Sequence, residues 1–135
     1  MKVATATLLK TQLNYAVAMA LGATFGRDSI GCITATRQLP TIMYLGGFPV
    51  KKEKGCALPN GTYNPSEYWS QGGPIIEREK LDVLYIGDGV QQHEWRAEAV
   101  GGYSYAEGPT PLIAAMRCFV AGKLGDEVDV PEELL

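Results

Sequence analysis

Residues 108–125 read GPTPLIAAMRCFVAGKLG, and the reading of this stretch decides the fold. Thr110 is an N-cap residue type, and Pro111 stands at the first helical position, where a missing N–H costs nothing. Leu112, Ile113, Met116, Phe119, Val120 and Leu124 recur at helical spacing and form one broad apolar stripe. Ala114, Ala115, Cys118, Ala121 and Gly122 flank it with small side chains, which let a helix sit close to a sheet or a partner. Lys123 falls in the last turn, at the negative end of the dipole, and Gly125 suits the left-handed position that follows. A helix this apolar has to be covered, so the rest of the chain is read as its cover.

Upstream, residues 101–109 form a Gly- and Tyr-bearing loop that delivers the chain to this helix. Before the loop, residues 81–86 and 90–100 alternate as two strands around an Asp88-Gly89 hairpin turn. Pro74 starts a short helix over 74–80, and Gln71-Gly72-Gly73 breaks a helical turn that runs from Asn64-Pro65 through Trp69. Residues 26–61 carry two β-branched runs, 32–36 and 41–45, and a turn at Asn60-Gly61. At the amino end a strand over 1–5 leads to a helix capped by Thr7 and ended by Gly22. Leu13, Ala16, Val17, Ala20 and Leu21 form its apolar face. Strands and helices do not alternate regularly. The expected class is α+β: one domain over residues 1–135, a small and mainly antiparallel sheet, and the first and last helices on one face.

The composition, 46% hydrophobic and 20% charged, is that of an ordinary globular chain. No run approaches the ~18–20 apolar residues that span a bilayer, and residues 1–7 lack a signal-peptide pattern. A cytoplasmic protein with no membrane partner is expected. Cys32, Cys56 and Cys118 are widely spaced, which fits free thiols in a reducing compartment. Five of the 15 acids fall in the tail, residues 126–135, so residues 1–125 carry ten acids against 12 Lys and Arg. A nearly neutral body without a basic face argues against a nucleic-acid polymer as partner. Within the tail, Val128, Val130, Leu134 and Leu135 interleave with the acids, a pattern that docks rather than trails in solvent.

Catalytic groups are sparse. His93 is the single histidine, read on a strand, and no pair of His or Cys shows metal-ligand spacing. No nucleophile elbow, phosphate loop or dinucleotide fingerprint is present. No catalytic residue, metal ligand or cofactor is therefore assigned. One pattern does occur twice. Tyr63, Tyr68 and Trp69 precede Gly72-Gly73-Pro74; Tyr103 and Tyr105 precede Gly108-Pro109-Thr110-Pro111. Each time aromatics and glycine lead to a proline-initiated helix. Helix starts offer free N–H donors to phosphate, glycine permits close approach, and aromatic faces stack on bases. Arg78, Arg96 or Arg117 can add a charge-assisted bond. The competing reading is of turns plugged by aromatic packing.

Residues 68–79 (YWSQGGPIIERE) and 108–135 (GPTPLIAAMRCFVAGKLGDEVDVPEELL) resemble the NinX-like family of small proteins from tailed phages and prophages. Leu13-Asn14-Tyr15-Ala16-Val17-Ala18 is similar to that family's L-x-W-A-V-A stretch, with Tyr15 in place of tryptophan. Tyr68 stands where the family has an aspartate, which removes that carboxylate here. The resemblance covers the first helix and most of residues 63–135, and it implies a phage accessory protein acting in the bacterial cytoplasm. It brings no established reaction.

The expected function is a non-enzymatic binder of a small phosphorylated nucleotide, a sponge for a host defence signal. Trp69, Gln71, Gly72, Gly73, Arg78, Arg96, Tyr103, Tyr105, Gly108 and Thr110 are the candidate ligand residues. The alternative is a protein–protein interaction module working through the loops and the acidic tail. A homo-oligomer is expected, because two helices with wide apolar faces have few strands to cover them.

Overall fold

The computed structural model of the chain describes residues 1–27, 33–36, 43–45, 62–87, 93–102 and 104–135. In chain order the elements are β1 (Lys2–Ala4), a 3-10 turn (Thr5–Thr7), α1 (Lys10–Ala20), β2 (Thr24–Arg27), β3 (Ile33–Thr36), β4 (Met43–Leu45) and β5 (Thr62–Tyr63). Then follow α2 (Trp69–Glu79), β6 (Asp82–Tyr85), β7 (Trp95–Glu98), β8 (Tyr105–Gly108), α3 (Pro111–Leu124), β9 (Glu127–Asp129) and a closing 3-10 turn (Glu132–Leu134). The α+β reading holds, and the strands fall into three sheets: β1-β9, β2-β3-β4-β5 and β6-β7-β8.

The long apolar helix is the centre of this arrangement. Thr110 is extended and its Oγ1 accepts the Ile113 N–H at 3.1 Å, so the N-cap forms as its residue type implies. Gly125 closes the helix at φ +92°. Leu112 and every residue from 114 to 120 are buried, which is how a helix apolar nearly all round must sit. One side lies on the antiparallel β6-β7-β8 sheet, whose facing residues Ala97 and Ala106 are small and buried. Gly108 goes further: a Cβ there would meet the Ala114 nitrogen at 2.9 Å. The other side takes α1, through its buried Leu13, Ala16, Val17 and Ala18. Tyr15, at the rim of α1, stacks on Phe25 with ring centroids 4.3 Å apart.

The structure differs from the expected element bounds in several places. Thr7 does not cap α1. It belongs to the 3-10 turn, and its hydroxyl donates to the Ala4 carbonyl at 2.8 Å. That turn is held to the far end of α3: Thr5 donates its N–H to Asp126 O at 2.8 Å and its hydroxyl to Gly125 O at 2.7 Å. Gly72-Gly73 does not break a helix either. α2 runs from Trp69 through both glycines and through Pro74 to Glu79. Residues 105–108 are a strand where a loop is expected, because β8 pairs along β7 from Trp95↔Gly108 to Glu98↔Tyr105. His93 lies before β7, not on it. The expected Asp88-Gly89 turn lies outside the described residues, as do Cys32, Cys56 and the Asn60-Gly61 turn.

The acidic tail is part of the fold. β9 pairs antiparallel with β1, with Val3 opposite Val128, and Val128, Val130 and Leu134 are buried. Gln12 donates to the Leu134 carbonyl at 3.1 Å. In β9 Glu127 and Asp129 face outward on either side of buried Val128, whereas Leu135, also expected to dock, is 49% exposed.

Candidate functional site

The turn over 64–68 sets up the first cleft. Asn64 O accepts the N–H groups of Glu67 (3.2 Å) and Tyr68 (2.9 Å), which rolls the chain into α2. Side chains lock that turn. Asn14 of α1 donates to Asn64 Oδ1 at 2.8 Å and accepts the Ser66 N–H at 3.1 Å. Asn64 donates to Glu67 Oε2 at 3.0 Å, and its N–H goes to Gln71 Oε1. Asn14, Asn64 and Ser66 are all buried, where each unmet polar group costs ~1–3 kcal/mol, so the network fixes the turn against α1. Sequence reading missed it. The available signal was Asn14, a polar residue set between Leu13 and Ala16 on an otherwise apolar helix face.

This turn presents Trp69 as the first residue of α2, with 56% of its surface exposed. Trp69 and Thr110 border one cleft of about 280 Å³, with Glu67, Pro111 and Ile113 among its walls. Two helix starts thus open on the same space. Of the first-turn N–H groups, Gln71 and Gly72 bond to Tyr68 O, Ile113 to Thr110 Oγ1 and Ala114 to Thr110 O. The groups at Trp69, Ser70 and Leu112 have no acceptor among the described residues. Among the described residues no lysine or arginine borders the cleft, and Glu67 is held at its edge by Asn64.

The remaining candidates do not join this cleft as expected. Gln71 is committed to Asn64, as its bond to that N–H requires. Gly72 is buried, and a Cβ there would strike the Pro65 carbonyl oxygen and come within 2.7 Å of Leu112 Cδ2. It admits the close approach of the Pro65 carbonyl and of Leu112 on α3. Gly73 is a mid-helix residue with ordinary room around it, 3.8 Å from the Trp69 ring. The space at Gly108 is taken by Ala114 and Ile113 of α3. Arg78 sits nine residues along α2 from Trp69, about 13 Å at 1.5 Å per residue, and its Nε pairs with Glu79 at 3.0 Å. Tyr103 lies outside the described residues.

Arg96 and Tyr105 do come together, in a different place. The Arg96 guanidinium stands 4.2 Å over the Tyr105 ring, and its Nε donates to Glu98 at 2.9 Å. Tyr105 borders a second cleft of about 570 Å³ between β8, the 3-10 turn at Thr5 and the end of α3. His93, Glu107 and Asp126 line it as well, residues that sequence reading left out of the site. The second motif is therefore divided: Thr110 and Pro111 border the Trp69 cleft, and Tyr105 borders the other.

Arg117, also considered for phosphate, is 3% exposed. It donates to Leu8 O at 2.9 Å and Glu107 O at 2.8 Å, tying the amino-terminal segment and β8 to α3. Burial pulls its pKa down, since a buried cation loses hydration. Cys118 is a core thiol. Burial pushes its pKa up, the hydrogen bonds to Ser104 and the Ala99 backbone opposing it only in part, so it has no activated thiolate. Among the described residues no group of three His, Cys, Asp or Glu is arranged to hold a metal, and no helix is long and apolar enough to cross a membrane.

Comparison with curated proteins gives no match. Against family models, residues 4–123 match the one described as Bacteriophage P22, NinX. The matched span reaches from β1 to the last turn of α3 and takes in both clefts' helical walls. The chain belongs to the NinX family of bacteriophage P22.

Proposed function

We propose that this phage-family protein is a non-enzymatic binder in the host bacterial cytoplasm. It takes a small phosphorylated nucleotide in the cleft between the starts of α2 and α3, and so sequesters a host defence signal. The observation that carries this reading is Trp69, an exposed aromatic residue at the mouth of a cleft where two helix starts meet. A base stacked on such a ring gains ~1–3 kcal/mol. The N–H groups of Trp69, Ser70 and Leu112 supply donors for phosphate. Peptide dipoles at the two helix starts favour the negative charge of phosphate there. The interaction-module alternative has less support, because its acidic arm is paired with β1 and packed on the core.

Calorimetric titration against cyclic and ADP-ribose-derived nucleotides tests the proposal. The expected result is binding of at least one, recovered unchanged, and a loss of at least tenfold in Trp69→Ala, equivalent to ~1.4 kcal/mol. The same variant should keep its melting temperature, since a rim residue contributes little to the core. Failure of the wild-type chain to bind any member of the panel, or equal binding by the variant, overturns the reading.

A further inference from the structure

The helix faces that make an oligomer attractive from sequence are covered within one chain, α3 by the sheet and α1. What stays open is β6. It is an edge strand with β7 as its single neighbour among the described residues. Leu84, Tyr85 and the following Ile86 are 51%, 65% and 38% exposed. Exposed apolar edge strands are templates for further strand pairing, and folded proteins normally blunt them with charge, proline or a bulge. Asp82 is the single charged residue between 81 and 87.

The hydrogen-bond phase of β6 defines what can pair with it. Ile86 donates its N–H to Glu94 O at 2.9 Å. In an antiparallel ladder this makes 82, 84 and 86 the residues bonded to β7, and it turns the peptide groups of Val83 and Tyr85 to the open side. The N–H groups that bracket them are already used: Leu81 bonds to Ile76 O and Gly87 to Glu94 O. A partner strand must therefore meet two residues, Val83 and Tyr85, spaced symmetrically about Leu84.

We infer that the partner is a second copy of this chain, with β6 pairing antiparallel to its own copy about a two-fold axis at Leu84. In that register each Val83 exchanges both backbone bonds with the other copy's Tyr85, and all four open peptide units are satisfied. Centring on Val83 would call on the spent Leu81 N–H, and centring on Tyr85 on the spent Gly87 N–H. Centring on Asp82 would set two carboxylates face to face, whereas the Leu84 register keeps them four residues, about 14 Å, apart. The two Leu84 side chains become a close non-bonded pair and lose their exposure to water. The result is one continuous six-stranded sheet with α3 helices on its covered face.

Sedimentation of the full chain at micromolar concentrations tests this. The expected species has twice the 14.6 kDa mass of the chain. Leu84→Lys, at an exposed position, should yield monomer with an unchanged circular-dichroism melt at high dilution. Leu84→Cys should link the two copies at position 84 under mild oxidation, since close non-bonded pairs lie within disulfide reach at ~4.5 Å between Cα atoms. Ile86→Cys, which this register sets beside the other copy's Asp82, should not link to itself. A 14.6 kDa species throughout, a dimer indifferent to Leu84→Lys, or equal linking at 84 and 86 would each overturn the inference.

Discussion

Gly72-Gly73-Pro74 and Gly108-Pro109-Thr110-Pro111 look alike as sequence and differ as structure. The second is a helix start, with Thr110 as cap and Pro111 in the first turn. The first lies inside a helix that began at Trp69. The difference is set by what precedes each. Thr110 carries the hydroxyl that accepts a first-turn N–H. Ahead of Gly72, the Asn64 turn has already rolled the chain, and Gln71 reaches back to the Asn64 N–H. By the time Pro74 is reached the helix has a full turn formed, and the proline removes one bond to the carbonyl four residues earlier, that of exposed Ser70. Yet the glycines share a role. Gly72 on α2 and Gly108 on β8 both lack a Cβ because neighbouring chain occupies that space, the Pro65 carbonyl and Leu112 at the first and the Ala114 backbone and Ile113 at the second. Neither needs a positive φ. The comparison separates two meanings of glycine, conformational freedom and close approach, and here the second governs both motifs.

The largest effect should come from filling that space. Gly72→Val should cost ~3 kcal/mol, because its branch meets the fixed Pro65 carbonyl as well as Leu112, and overpacking of a closed contact costs ~1–3 kcal/mol or more. Gly108→Ala should cost ~1–3 kcal/mol for the same reason, against the Ala114 backbone. Urea unfolding monitored by circular dichroism checks both. Stabilities equal to wild type would mean that neither glycine sits in a closed contact and that the shared role is wrong.

Next comes the cap. Thr110→Ala should lose ~1 kcal/mol with the Oγ1 bond to the Ile113 N–H, whereas Tyr68→Ala should cost less, since Tyr68 precedes α2 without a side-chain cap. The contrast is read in the same urea titrations. A larger loss at Tyr68 would reverse the distinction between the two helix starts.

The legibility of the chain follows the same division. α3 was readable to its caps because its signals are local: Thr110, Pro111, the apolar stripe and Gly125. The tail was readable because valine and leucine alternate with acids, and β9 buries that alternation. α2 was not, because what extends it to Trp69 is nonlocal: Asn14 lies 50 residues from Asn64. β8 was missed because Tyr105–Gly108 offers one β-favouring residue, and its pairing comes from β7 and the small face beneath α3. Of the candidate ligand residues, Trp69 and Thr110 border one cleft, and the arginines lie elsewhere. Residue types that bind phosphate also make ion pairs, and Arg78 and Arg96 are spent on Glu79 and Glu98.

The smallest expected effect is the most discriminating, because it changes sign between adjacent residues. Gly73 follows Gly72 in the same helix, but among the described residues a Cβ at Gly73 meets only the Trp69 ring at 3.8 Å, an ordinary contact. Glycine inside a helix costs ~0.5–1 kcal/mol relative to alanine, through the freedom it loses on folding. Gly73→Ala should therefore stabilise the protein by that amount and raise its melting temperature by a few degrees. Gly72→Ala gains the same helix propensity but drives its methyl into the Pro65 carbonyl, so it should lower the melting temperature. If residues 71–73 were the break that their composition suggests, both alanines would act alike, each straining a turn. Opposite shifts in paired thermal melts are the signature of a continuous α2 with one glycine in contact and one in the open.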